Sequence, residues 1–231
     1  TLPTKERNTI YIQPIGKFTK EQDRAIEQVA EYMRAFYSLP VKLNSVKPIG
    51  NVPTDKKRLV KYRNNLRILT SHFTDEVLPK MLPEDAASLI AFTNYDLYPE
   101  PRWAFVFGQA SLDKRVGVWS LYQFADPVTG RYDPDFLLSR TLKIAMHEIG
   151  HMFGMRHCTK YECLMSGTNS LLETDRRPLD NCPECMAKLA WAMKYDPVTR
   201  YKKLADFWRK QGWKDEENKA LAKLRAIESV K

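Results

Sequence analysis

The chain has 231 residues, 43% of them hydrophobic and 28% charged, with 37 Lys+Arg against 28 Asp+Glu for a formal charge of +9. That composition fits one or two soluble globular domains and excludes wholesale disorder, collagen and a disulfide-dense miniprotein. No apolar run reaches the roughly 18 residues that a membrane span needs, and the basic excess is spread along the chain like a solvated surface rather than clustered.

The first residue is Thr1 rather than Met, so a processed or trimmed chain is expected. It carries no charged-then-apolar leader, and a cytoplasmic monomer is expected. Thr9 to Pro14 alternates and is rich in β-branched and aromatic residues, which predicts a strand. Thr19, with Gln22 three residues on, makes a capping box. It opens a helix whose apolar residues Ala25, Val29, Tyr32, Met33 and Phe36 recur at helical spacing. Val41 to Val46 alternates as a second strand, and Pro48, Gly50 and Pro53 mark a loop. Leu59 to Met81 reads as a second helical region, with Leu66, Leu69, Phe73 and Val77 on one side and Pro79 and Pro83 ending it.

Three short β-type runs follow, Ala87 to Leu97, Trp103 to Gln109 and Val116 to Phe124, then a turn-rich loop from Asp126 to Asp135. Leu137 to Phe153 is a long helix without proline. The chain is helical again from Ala187, with Gly212 as a stop and Asp215 as the next N-cap. The order predicts an α/β (α+β) fold. Residues 1–154 would form an N-terminal subdomain ending in the metal helix, and residues 155–231 a cysteine-held C-terminal one, within one continuous domain.

Three of the four histidines and all four cysteines fall between His147 and Cys185, a concentration that points to metal. His147 and His151 stand at i and i+4, so a helix presents both imidazoles on one face, a turn apart. Glu148 then projects beside the ion rather than onto it, which suits a general base acting on metal-activated water. Gly154 can take φ > 0 and swing the chain back, bringing His157 in as a third ligand. Three histidines leave one position open, the mark of a catalytic zinc.

Cys158, Cys163, Cys182 and Cys185 offer four thiolates for a closed, structural zinc site. Two disulfides or a redox pair are the alternatives. The x₂ spacing of Cys182 and Cys185 would strain a disulfide, and no thioredoxin-like unit accompanies it. Arg156, Lys160, Arg176 and Arg177 could offset the charge of such a site. Adjacency of His157 and Cys158 would set the two metals within roughly 15 Å, so the closed site would aim the third histidine.

These residues in this order resemble the archaemetzincins, a branch of the metzincin metalloproteases. His147, Glu148, His151, Gly154, His157, Cys158, Cys163, Met165, Cys182 and Cys185 follow the family pattern. Asp96 to Pro99, Trp103, Phe105 to Ser111 and Asp175 to Leu179 also look like family segments, and the resemblance is best over roughly residues 87–205. It implies a twisted, mostly parallel five-stranded sheet with an antiparallel edge strand over a zinc-floored cleft, and Met165 as a supporting Met-turn residue. It also implies an edge strand that pairs with substrate through Phe107, Gly108, Gln109 and Ala110. Some metzincins carry a tyrosine two residues after the Met; here Gly167 stands there, and Tyr161 is the substitute considered.

The expected protein is a zinc metallopeptidase with two zinc ions per chain, acting on peptide or protein substrates in an aminopeptidase-like manner on short peptides. No nucleic-acid partner is expected. A catalytically weak zinc-stabilised peptide-binding protein and a nucleic-acid-binding zinc module are the alternatives.

Overall fold

The computed structural model describes residues 2–60 and 65–229. A five-stranded sheet of order β2-β1-β5-β8-β7 forms the frame, built from β1 (Thr9–Ile15), β2 (Val41–Leu43), β5 (Ala86–Thr93), β7 (Gly108–Ser111) and β8 (Val116–Ser120). Its pairs are parallel except β7 against β8, which is antiparallel. A second sheet of order β3-β4-β6 joins β3 (Lys57–Val60), β4 (Asn65–Leu69) and β6 (Asp96–Tyr98).

Every residue of β1, β5 and β8 is buried, as strands covered on both faces require. Alternation sorts them: Ile10, Ile12, Ile90, Phe92 and Trp119 face one core, while Tyr11, Ile15, Leu89, Ala91 and Val118 face the other. The first core is closed by α1 (Lys20–Tyr37), α2 (Pro134–Met152) and α5 (Pro197–Gln211). The second is closed by Ile68, Leu97 and helical turns at His72–Val77 and Leu78–Met81.

The capping box forms as expected: Thr19 Oγ1 accepts from Gln22 N–H and Gln22 Oε1 accepts from Thr19 N–H at 3.0 Å. Helices α3 (Leu171–Arg176), α4 (Pro183–Met193) and α6 (Lys214–Glu228) complete the chain, with Gly212 closing α5 at φ 75. No helix among the described residues is long and apolar enough to cross a membrane.

The region from Leu59 to Met81 departs from expectation. Its first part is the antiparallel pair β3 and β4, with residues 61–64 outside the described residues, and only 70–81 is helical. Leu59 and Leu66 are cross-strand partners rather than neighbours on a helix face, and β4 gains a further parallel partner in β6. Short apolar runs look alike in helix and strand until a partner strand is known. Within Trp103 to Gln109 only Gly108 and Gln109 belong to a regular strand; Val106 makes a single bridge to Leu97. The N-cap of α6 is Trp213, not Asp215: Trp213 stacks on Trp208 at 5.3 Å, which starts the helix earlier and leaves Asp215 in its first turn.

Candidate active site

The helix that carries the metal motif is built for its place. Asp133 caps α2 by accepting from the backbone N–H groups of Asp135 and Phe136, both at 3.0 Å, and Pro134 follows as its first residue. Its last turn ends in two crossed bonds, Met155 N–H to Gly150 O and Gly154 N–H to His151 O, both 2.9 Å, with Gly154 at φ 89. This left-handed helix stop reverses the chain and carries it toward His157.

His147, His151 and His157 meet there, their candidate ligand atoms all within 4.8 Å of one another. His147 is buried, His151 intermediate and His157 exposed, so the cluster opens to solvent on one side. His147 Nδ1 lies 2.9 Å from Leu164 O and His151 Nδ1 2.7 Å from Met155 O. A carbonyl only accepts, so His151 Nδ1 carries the proton; His147 Nδ1 has both Leu164 O and Arg177 Nη1 within 3.0 Å, and with its proton directed at the carbonyl both Nε2 atoms present lone pairs. Those two Nε2 atoms face each other at 3.0 Å. Two opposed lone pairs repel unless a cation lies against both, so the donor set fits a metal ion. Burial, with the Arg177 charge adding to it, pushes His147 down to about 3, which keeps it the neutral imidazole a ligand must be.

The Met-turn expectation has a structural counterpart. Met165 is buried, and a Cβ placed on Gly150 would meet its Sδ at 2.6 Å, so the thioether packs against α2 between the two helix histidines. Gly167 lies against His157: an added Cβ would stand 3.1 Å from its Nδ1. The position where other metzincins have tyrosine is here the space that lets the third imidazole in. Tyr161 is not among the cleft residues; its hydroxyl lies 3.4 Å from Glu184. The fourth histidine, His72, lies outside the cluster, buried with Nδ1 3.0 Å from Glu76.

The cluster floors a cleft of about 980 Å³ that Glu148, His147 and His157 share with Phe107 and Gly108. Burial lifts the Glu148 carboxyl to about 7, with the Arg177 charge opposing. Of the four edge-strand residues expected to meet substrate, Phe107 and Gly108 line the cleft; Gln109 and Ala110 do not, and Gln109 instead bonds Thr70. β7 is an end strand of its sheet, so among the described residues one of its edges has no partner strand.

Arg177 is the cleft residue that sequence reasoning placed elsewhere, as a counter-charge for the cysteines. It is buried, donating from Nη1 to Ser166 O at 2.9 Å and from Nη2 to Lys143 O at 3.0 Å, with Nη1 3.0 Å from His147 Nδ1. It therefore braces α2 against the Met165 turn. Its place in the Asp175 to Leu179 segment was the one available signal.

The four cysteines are free thiols whose sulfurs lie within 4.8 Å of one another, and all but Cys158 are buried. Backbone N–H groups point at them: Cys182 N to Cys163 Sγ at 3.2 Å, Met165 N to Cys163 Sγ at 3.4 Å, and Cys185 N to Cys182 Sγ at 3.5 Å. Burial pushes the Cys163 thiol up to about 11 and raises Cys185 further. Burial acts the same way on Cys158, but backbone N–H groups of Lys160 and Tyr161 outweigh it and hold that thiol down to about 7. Four sulfurs this close together, with the thiols of Cys163 and Cys185 pushed up by burial, fit a cation that would stabilise their thiolates. The two clusters share backbone: Cys158 N–H donates to Met165 O at 2.9 Å.

Comparisons with known proteins agree with this geometry. The model of peptidase family M54 matches residues 15–191. Archaemetzincin-2 of Pongo abelii is 36% identical over 94% of this chain, which spans 66% of that relative's length. The archaemetzincin of Pyrococcus furiosus is 32% identical over 79% of this chain and 93% of its own. The crystal structure of the Methanopyrus kandleri archaemetzincin superposes with a TM-score of 0.64 at 27% identity, covering 84% of this chain and all of that one. That of the Archaeoglobus fulgidus archaemetzincin gives 0.58 at 26% identity over 78% of this chain and 99% of that one. With its five-stranded mixed sheet and a family match over most of its length, the chain belongs to the archaemetzincins, peptidase family M54.

Proposed function

We propose that this chain hydrolyses peptide bonds in the cleft above α2, with His147, His151 and His157 holding a catalytic zinc, Glu148 as general base, and the four cysteines holding a second, structural zinc. The observation that carries the reading is the pair of Nε2 lone pairs opposed at 3.0 Å beside Glu148, at the floor of an open cleft. Zinc bound there would polarise the scissile carbonyl and acidify a water.

The chain's own groups do the rest. Glu148 follows His147 directly and faces the cleft, so it accepts the proton of the attacking water and returns it to the amine nitrogen as the C–N bond breaks. The carbonyl oxygens of Leu164 and Met155 hold the two helix imidazoles in one tautomer and orientation. Arg177 keeps a positive charge beside Glu148, favouring its ionised form. The free edge of β7 offers backbone groups to an extended peptide. Aminopeptidase-like trimming of short peptides, the form the resemblance implies, needs in addition an anionic group to hold the substrate's ammonium.

The test is digestion of a peptide library by the zinc-loaded protein, read by mass spectrometry, beside the Glu148→Gln variant. Removing the base should lower turnover about 10²–10⁴-fold, with zinc still counted at two per chain. Parent-like hydrolysis by the variant would refute the mechanism. A metal count of one or none in both proteins would refute the two-site reading.

A further inference from the structure

The rim of the cleft is a ladder of aromatic rings. Trp103 is 56% exposed and Phe105 37%, large apolar surface left open at the mouth of a site. Phe105 packs edge-on against Phe107 at 5.4 Å, and Phe107 stacks on buried Phe124 at 5.9 Å, so the ladder runs from the core outward.

Its backbone is pinned. Arg58 donates to Pro101 O at 3.0 Å, to Trp103 O, and to Ala104 O at 2.7 Å; its guanidinium lies over the Tyr98 ring. Arg67 donates to Ala104 O at 2.7 Å and pairs with the fully buried Asp96, which also accepts from the cleft residue Gln123 at 3.0 Å. A rim held this way loses little freedom on binding, so contact energy is not spent on ordering it.

The charge of the cleft narrows what it accepts. Among the described residues lining it, Glu148 is the one carboxylate, and it is the proposed base. Arg177 adds a positive charge, which disfavours an ammonium group. The neighbouring depression, sharing Gln123 and Leu171, contains Asp126 and Asp133. Both are committed to the backbone: Asp126 accepts from Val128 and Thr129, and Asp133 caps α2.

We infer that the cleft takes an internal stretch of peptide, seating an aromatic or bulky apolar side chain against Trp103 and Phe105, and does not bind a chain by its free amino end. This rests on the peptidase reading.

The zinc-loaded protein is given two octapeptides of one sequence, with a single central Phe, one with a free and one with an acetylated amino terminus. A third acetylated peptide carries Asp in place of Phe. Both Phe peptides should be cut at the same internal bond with kcat/KM within about threefold of each other, and the Asp peptide should fall about tenfold or more. Trp103→Ala should raise KM about tenfold with kcat nearly kept, and Arg58→Ala should raise KM less, through the loosened rim. Stepwise release of single residues from the free peptide, with the acetylated one inert, would overturn the inference. So would an unchanged KM in Trp103→Ala.

If no peptide is cut at all, the peptidase reading fails, and calorimetry on Glu148→Gln then decides this one separately. Binding of the acetylated Phe peptide that is lost in the added Trp103→Ala variant supports it; no binding, or binding indifferent to Trp103, overturns it.

Discussion

The histidine cluster and the cysteine cluster adjoin in sequence at His157 and Cys158, yet they are built on opposite plans. The histidine site is graded, from buried His147 to exposed His157, and opens into a cleft. The cysteine site is closed: three of its four thiols are buried, and backbone N–H groups from Met165, Cys182 and Cys185 aim at sulfur. An open site can exchange a ligand with solvent and substrate, whereas a closed one returns its binding free energy as fold stability. On the proposed reading the first would carry the chemistry and the second the architecture, with the Cys158 to Met165 bond as the link through which the second would aim the first.

The largest expected effect tests that division. Cys182→Ser removes a sulfur that accepts from Cys185 N–H and lies 3.9 Å from Cys158 Sγ, and should cost roughly 3–5 kcal/mol of stability with loss of the second metal. His157→Ala, at an exposed position, should cost about 1 kcal/mol or less while emptying the open site. Thermal melts with metal counts on both variants check the contrast. A Cys182→Ser protein as stable as the parent and still holding two zincs would return the cysteines to the disulfide reading. Chelation of the parent should show the same order, with the open site stripped first and activity lost before the melting temperature moves.

Arg177→Met comes next. It leaves the buried carbonyls of Ser166 and Lys143 without their donor, a cost of about 2–3 kcal/mol, and frees α2 from the Met165 turn. Both stability and kcat/KM should fall. A drop in stability alone would make Arg177 a brace with no part in the cleft's chemistry.

Smallest in stability is Gly167→Ala. The new Cβ would press on His157 at 3.1 Å, so the open site should bind metal about tenfold more weakly, while stability changes by about 0.5 kcal/mol or less. Zinc titration against a competing chelator reads the first and a melt the second. Unchanged zinc affinity would mean that His157 yields freely.

The sequence by itself determined what local geometry dictates. His147 and His151 share a helix face because i and i+4 lie a turn apart. Thr19 and Gln22 close a capping box, Gly154 and Gly212 take positive φ, and the cysteine quartet is legible from composition and spacing. Four strands of the five-stranded sheet, β1, β2, β5 and β8, are legible too, because each lies largely within a β-type run, whereas β7 meets its expected run only at Gly108 and Gln109.

Only the tertiary structure decided the rest. Leu59, Leu66 and Leu69 keep helical spacing, but cross-strand pairing of β3 with β4 and of β4 with β6 outweighs it. Trp213 rather than Asp215 begins α6, with its ring stacked on Trp208 at the end of α5. Arg177 stands thirty residues from His147, yet its Nη1 comes within 3.0 Å of that ring, and beyond its place in the Asp175 to Leu179 segment nothing along the chain points it to the cleft. Trp103 and Phe105 read as strand until Arg58 and Arg67 pin them as a rim. The contacts of β4 with β6, of Arg177 with the cleft and of Arg58 and Arg67 with the rim join segments far apart in sequence, and periodicity, caps and spacing carry no information about such contacts.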